Sequence, residues 1–62
     1  RRRKMTLNDL MILAGKKGEP RLAYRDDEVF TPNQNFYAEP GEKFLLEYDD
    51  GKNFQKVEVE IP

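Results

Sequence analysis

The chain has 62 residues with 11 basic and 12 acidic side chains, no histidine and no cysteine. That bounds it to one small domain without disulfides or thiolate metal sites, and leaves a structural zinc site no ordinary nitrogen or sulfur ligand. A domain of this size buries only about 60% of the surface its unfolded chain exposes, so its core supplies only about 3–5 kcal/mol; stability must come from packing, self-association or a larger protein.

No apolar run approaches the roughly 20 residues of a membrane span, and no signal-peptide pattern is present. No membrane partner and no cofactor is expected. The lack of cysteine suits an intracellular setting, cytoplasmic or nuclear. With Arg1 rather than Met in first place, the chain is expected to be a mature product or a domain of a longer protein.

Charge is unevenly divided. Arg1, Arg2, Arg3 and Lys4 carry +4, whereas the remaining seven basic side chains meet all twelve acidic ones, which leaves −5 on the rest. Residues 1–5 therefore read as a basic arm and residues 6–62 as one small β-rich domain. Arg1, Arg2, Arg3 and Lys4 could neutralise about three or four phosphates in a salt-dependent, sequence-blind contact. They could equally be an import signal or a solvated end.

Thr6 is a good N-cap, with Asp9 at the third helical position as in a capping box, and Met5 and Leu10 stand where a hydrophobic staple belongs. Leu7, Leu10, Met11 and Ala14 follow i, i+3, i+4, i+7 spacing, which predicts a helix over 7–14. Gly15 fits the position after its end, followed by Lys16 and Lys17 where the helix dipole favours cations. Ile12 and Leu13 widen the apolar arc beyond what one sheet face needs. The segment "TLNDLMILAG", residues 6 to 15, is similar to the first helix of helix-turn-helix repressors of the LacI type. The following "KKGEPRLAY" has glycine and proline where the recognition helix would run, so the DNA-reading element is missing and that function is not carried over.

After a linker at 16–20, Leu22 and Tyr24 alternate with Arg21, Ala23 and Arg25 as in a half-buried strand. Asp26 and Asp27 predict a turn, and residues 28–31 a second strand. Pro32 to Asn35 form a polar loop, and residues 36–38 a short strand with Phe36 and Tyr37 on opposite faces. Pro40 and Gly41 suit a type II turn. Phe44, Leu46 and Tyr48 then alternate on one strand, and Val57, Val59 and Ile61 on the next, with the chain reversing around Asp49 to Gly51. Pairing Leu46 with Phe54 through a three-residue loop would bury Phe54. Because Phe54 and Val57 are an odd number apart, sharing a face would need a β-bulge at Gln55-Lys56. The expected fold is α+β, mostly β: a short N-terminal helix and a four-stranded antiparallel meander, as a small curled sheet or an SH3-like open barrel.

Catalysis has little to work with. The chain has no histidine, cysteine or serine, so a hydroxyl nucleophile would lack the adjacent base it normally needs. The carboxylate pairs Asp26-Asp27 and Asp49-Asp50 read as turn formers, and "DDGKNFQ" lacks the alternating ligands of an EF-hand. Apolar residues outside the expected core suggest docking instead. Ile12, Leu13 and Leu45, with Phe36 and Tyr37 as a rim, are the candidate contacts for another protein or a second copy. The expectation is a non-catalytic interaction or oligomerisation module of a larger regulatory protein, the alternative being a nucleic-acid-associated domain that uses its arm.

Overall fold

A computed structural model describes residues 1–62. In chain order the elements are β1 (Arg3–Met5), α1 (Leu7–Ala14), β2 (Glu19–Arg25), β3 (Glu28–Phe30), β4 (Phe36–Ala38), β5 (Lys43–Asp49) and β6 (Phe54–Glu60). Four strands form an open antiparallel sheet in the order β3-β2-β5-β6, and β1 pairs with β4 in a separate two-stranded ribbon. The domain is thus α+β, mostly β, with one short helix and two antiparallel sheets, neither closed. Its order departs from a sequential meander at one point: β4 leaves the main sheet to pair with β1, and β5 lies directly against β2. The last three residues of the basic segment 1–5 are β1 itself.

Helix α1 follows from its caps. The Thr6 hydroxyl accepts from the Asp9 N–H at 3.4 Å, and the Asp9 carboxylate accepts from the Thr6 N–H at 2.8 Å, a reciprocal capping box. At the other end Gly15 turns left-handed (φ 67°). The Gly15 N–H then donates to the Ile12 carbonyl and the Lys16 N–H to the Met11 carbonyl, each at 3.1 Å, which is the Schellman pattern. Eight residues do not hold a helix alone; Leu7, Leu10 and Met11 are buried against the inner face of the four-stranded sheet.

That face carries Ala23, Phe30, Phe44, Leu46, Tyr48 and Val59, and the β1–β4 ribbon adds Met5, Phe36 and Ala38 to the same core. Phe36 bridges the layers, its ring centroid 4.6 Å from that of Phe30 and 5.1 Å from that of Phe44. Full burial of Phe44, Leu7, Leu10, Leu46 and Ile61 contributes about 1.5–3 kcal/mol each.

Two expectations about side-chain facing are corrected. In β2 the core-facing residue is Ala23, fully buried, whereas Tyr24 pairs with Leu45 on the outer face. A small residue there lets α1 approach the sheet, and a register shift between Pro20 and Leu22 sets the phase. In the β5–β6 hairpin no bulge occurs at Gln55-Lys56. The ladder runs unbroken from Asp49↔Phe54 to Lys43↔Glu60, with Leu46 opposite Val57. The connection is longer than the predicted three residues because aspartate side chains organise it. The Asp49 carboxylate accepts from the Gly51 N–H at 2.8 Å, and that of Asp50 from the Lys52 and Asn53 N–H groups at 2.8 and 2.7 Å. Val57 and Val59 keep the inner face, and Phe54 is left 57% exposed.

The other turns form where expected. Asp26 (φ 53°) and Asp27 join β2 to β3. Pro40 and Gly41 (φ 89°) occupy the centre of a turn closed by the Glu42 N–H on the Glu39 carbonyl at 3.1 Å.

Gly18 is held by more than its φ of 134°: a Cβ there would run into the backbone carbonyl of Asp49 and lie 2.9 Å from the Asp50 Cα. Gly18→Ala is expected to lower unfolding free energy by about 1–3 kcal/mol, measured by urea denaturation; wild-type stability would refute the close approach. A second expectation concerns pH. The backbone N–H groups of Asn53 and Lys52, and then the Gln55 amide, hold the Asp50 carboxyl below its ordinary value of 3.8. Since the folded value is the lower one, the loop's contribution is fully present above the ordinary value. It is lost as pH falls through the folded value. In an NMR titration the Asp50 carboxyl should change below the ordinary aspartate range, with the Lys52 and Asn53 amides moving in the same step; a midpoint in that range would contradict the hydrogen-bonded loop.

Candidate functional site

Of the sequence-predicted contact residues, Ile12 and Leu13 lie on the outward side of α1, 75% and 38% exposed. Arg3 and Lys4 stand beside them. Together with Met5 and Asp9 these residues line a groove of about 270 Å³ between β1 and α1. The fold thus brings residues expected to hold nucleic acid next to residues expected to hold a protein. Asp9, the one acidic lining residue, is already engaged, accepting from the Thr6 N–H at 2.8 Å and the Thr6 hydroxyl at 3.3 Å. Arg3 and Lys4 take part in none of the ion pairs of the domain. The groove therefore has Ile12, Leu13 and the Thr6-bonded Asp9 carboxylate on the helix side, and two unpaired cations with Met5 on the strand side.

Leu45 belongs to a different surface. It faces outward on β5, opposite Tyr24, which in turn lies opposite Val29 on β3. Val29 is 50% exposed, so these three side chains make an apolar rung across the outer sheet face. Val29 and Tyr24 were not among the expected contacts. The alternation of each strand could have shown them, but only once the β3-β2-β5 order was known. The Tyr24 hydroxyl donates to Glu47 at 3.3 Å. Loss of water around the phenol, and then the Glu47 charge, push its pKa up.

Phe36 and Tyr37 do lie on opposite faces of β4, and the core claims Phe36, 4% exposed. Its side chain is thus withdrawn from any rim. Tyr37 is half exposed and carries the Arg2 guanidinium 4.8 Å from its ring centroid. Around this pair stands a second, polar depression that includes Glu28, Glu39, Glu42 and Arg25. Arg25 is structural. It pairs with Glu28 at 2.8 Å and Glu42 at 3.2 Å, donates to the Tyr37 carbonyl at 2.7 Å, and lies over the rings of Phe44 and Phe30 at 5.2 and 5.3 Å. The Glu28 hydrogen bond is the main cause of its raised pKa. No group of three or more acidic side chains converges to hold a metal ion, and no helix is long and apolar enough to cross a membrane.

Comparison of the chain with protein-family models, with curated proteins and with solved structures gives no match.

Two substitutions separate the structural surface from the candidate one. Arg25→Met removes a charged side chain that is only 17% exposed, costs Glu42 its ion pair and leaves the Tyr37 carbonyl without the guanidinium donor; a loss of about 1–3 kcal/mol is expected. Ile12→Glu changes a residue already in water and should shift stability by no more than about 0.5 kcal/mol. Equal losses in thermal or urea unfolding would mean that Ile12 serves the fold.

Proposed function

We propose that this chain is a non-catalytic protein-interaction or oligomerisation module of a larger regulatory protein. The observation that carries the proposal is the exposure of Ile12 and Leu13 beside the β1 strand in the groove. In a domain with so small a core, two large aliphatic side chains left in water on one helix face are apolar surface the fold itself does not use. The composition supports the same direction, since no histidine, cysteine or serine is present to build a nucleophile–base pair. The outer rung of Val29, Tyr24 and Leu45 is a second surface of the same character.

A nucleic-acid backbone fits less well. Arg2 leans on Tyr37 in a depression shared with Glu28, Glu39 and Glu42, and carboxylates in the same depression repel phosphate. The body of the chain is also net acidic.

The test combines sedimentation of the purified chain with selection from a library of short random peptides. Self-association or peptide enrichment is expected, lost in Ile12→Glu/Leu13→Glu or in Leu45→Glu while the fold persists. A chain that stays monomeric and enriches no peptide overturns the proposal. So does binding to a short DNA duplex that falls steeply with salt and disappears with Arg1 to Lys4.

A further inference from the structure

We propose that the open edge of β1 takes up an extended segment of a partner protein in which apolar and acidic side chains alternate, added as a third strand to the β1–β4 ribbon. This rests on the interaction-module reading and names the partner's chemistry.

The first support is topological. β1 has a single neighbour, β4, so one of its edges carries unpaired backbone groups, the ordinary template for strand addition. The Tyr37 carbonyl is bonded by the Arg25 guanidinium at 2.7 Å, and Tyr37 stands opposite Lys4 in the ladder. Residues along β1 alternate between bonding β4 and directing their N–H and C=O to the open edge.

The second support is chemical. The groove that includes Lys4 has Ile12 and Leu13 on its helix side, and its two cations, Arg3 and Lys4, are in no ion pair and outnumber its single carboxylate, Asp9, which Thr6 already engages. An incoming strand presents side chains with a period of two. Acidic residues across from Arg3 or Lys4 gain a cross-strand charge pair, and apolar ones cover Ile12 and Leu13. A valine–lysine strand would set like charges against Arg3 and Lys4, and an all-glutamate strand would leave Ile12 and Leu13 uncovered.

A second copy of this chain is the poorer occupant. Strand β6 has an open edge and reads Val57-Glu58-Val59-Glu60, the required alternation. Yet Val59 is buried and Val57 packs on the same core, so a folded copy offers its carboxylates without its valines.

The probe is a capped synthetic peptide of alternating valine and glutamate, titrated into the whole chain and followed by backbone amide NMR, beside valine–lysine and all-glutamate peptides. Expected are shifts at Arg3, Lys4, Met5, Ile12 and Leu13, at least about tenfold weaker binding in Lys4→Glu and in Ile12→Glu, and little binding of either control peptide. Both substituted residues are exposed, so amide dispersion should confirm an intact fold. Absence of binding, equal binding of a control peptide, or self-association through β6 overturns the strand-addition proposal. Shifts confined to Val29, Tyr24 and Leu45 and lost in Leu45→Glu also overturn it, while leaving the interaction-module reading in place.

Discussion

The structure depends on one charged side chain at the margin of the core, Arg25. Arg25 points to the inner face of β2, where alternation would place an apolar residue, and its guanidinium lies over the rings of Phe30 and Phe44. Its donors reach Glu28 on β3, the Tyr37 carbonyl on β4 and Glu42 just before β5. One residue thus joins the four-stranded sheet to the separate ribbon, where the ladder hydrogen bonds of neither sheet can. Arginine suits the position because its planar fork serves several acceptors while its face stacks on aromatic rings. A lysine would supply the charge without the fork or the stacking plane.

That tie explains why a short ribbon persists beside the main sheet. Two strands alone are marginal in water. β1 and β4 are three residues each, and they hold because Met5, Phe36 and Ala38 enter the shared core and Arg25 fixes the backbone of β4. β1 then lies between two roles. Its inner side chain belongs to the fold, whereas its outer edge and its two cations are used by nothing within the domain.

Local signals in the sequence were legible where the cause is local. The Thr6–Asp9 box, the Leu7–Ala14 helix, the Gly15 stop and the turns at Asp26-Asp27 and Pro40-Gly41 each rest on a few adjacent residues. What could not be read depends on pairing across the chain. Leu22 and Tyr24 look like a buried face until the approach of α1 demands the small Ala23 there. Phe54 looks like core until the aspartates of the β5–β6 loop fix a longer connection and turn it outward. The candidate site divides in the same way. Ile12, Leu13 and Leu45 were visible as apolar residues off their element's main face, but that Arg3 and Lys4 share a groove with the first two follows only from the β1–β4 pairing.

The two kinds of cation in this chain show how burial and pairing separate fold from recognition. Arg25 is largely enclosed and has two carboxylates and a carbonyl within hydrogen-bond reach. Its charge is fully answered inside the domain, and little field remains to attract anything else. Arg3 and Lys4 are exposed and unanswered, on a body whose remaining charge is negative. Leaving such charges free costs about nothing in stability, because exposed pairs are worth only about 0–1 kcal/mol. Their influence lies in what they admit to the groove: an exposed cation beside an aliphatic floor favours a partner that brings carboxylate and apolar groups together, and disfavours one that brings either alone.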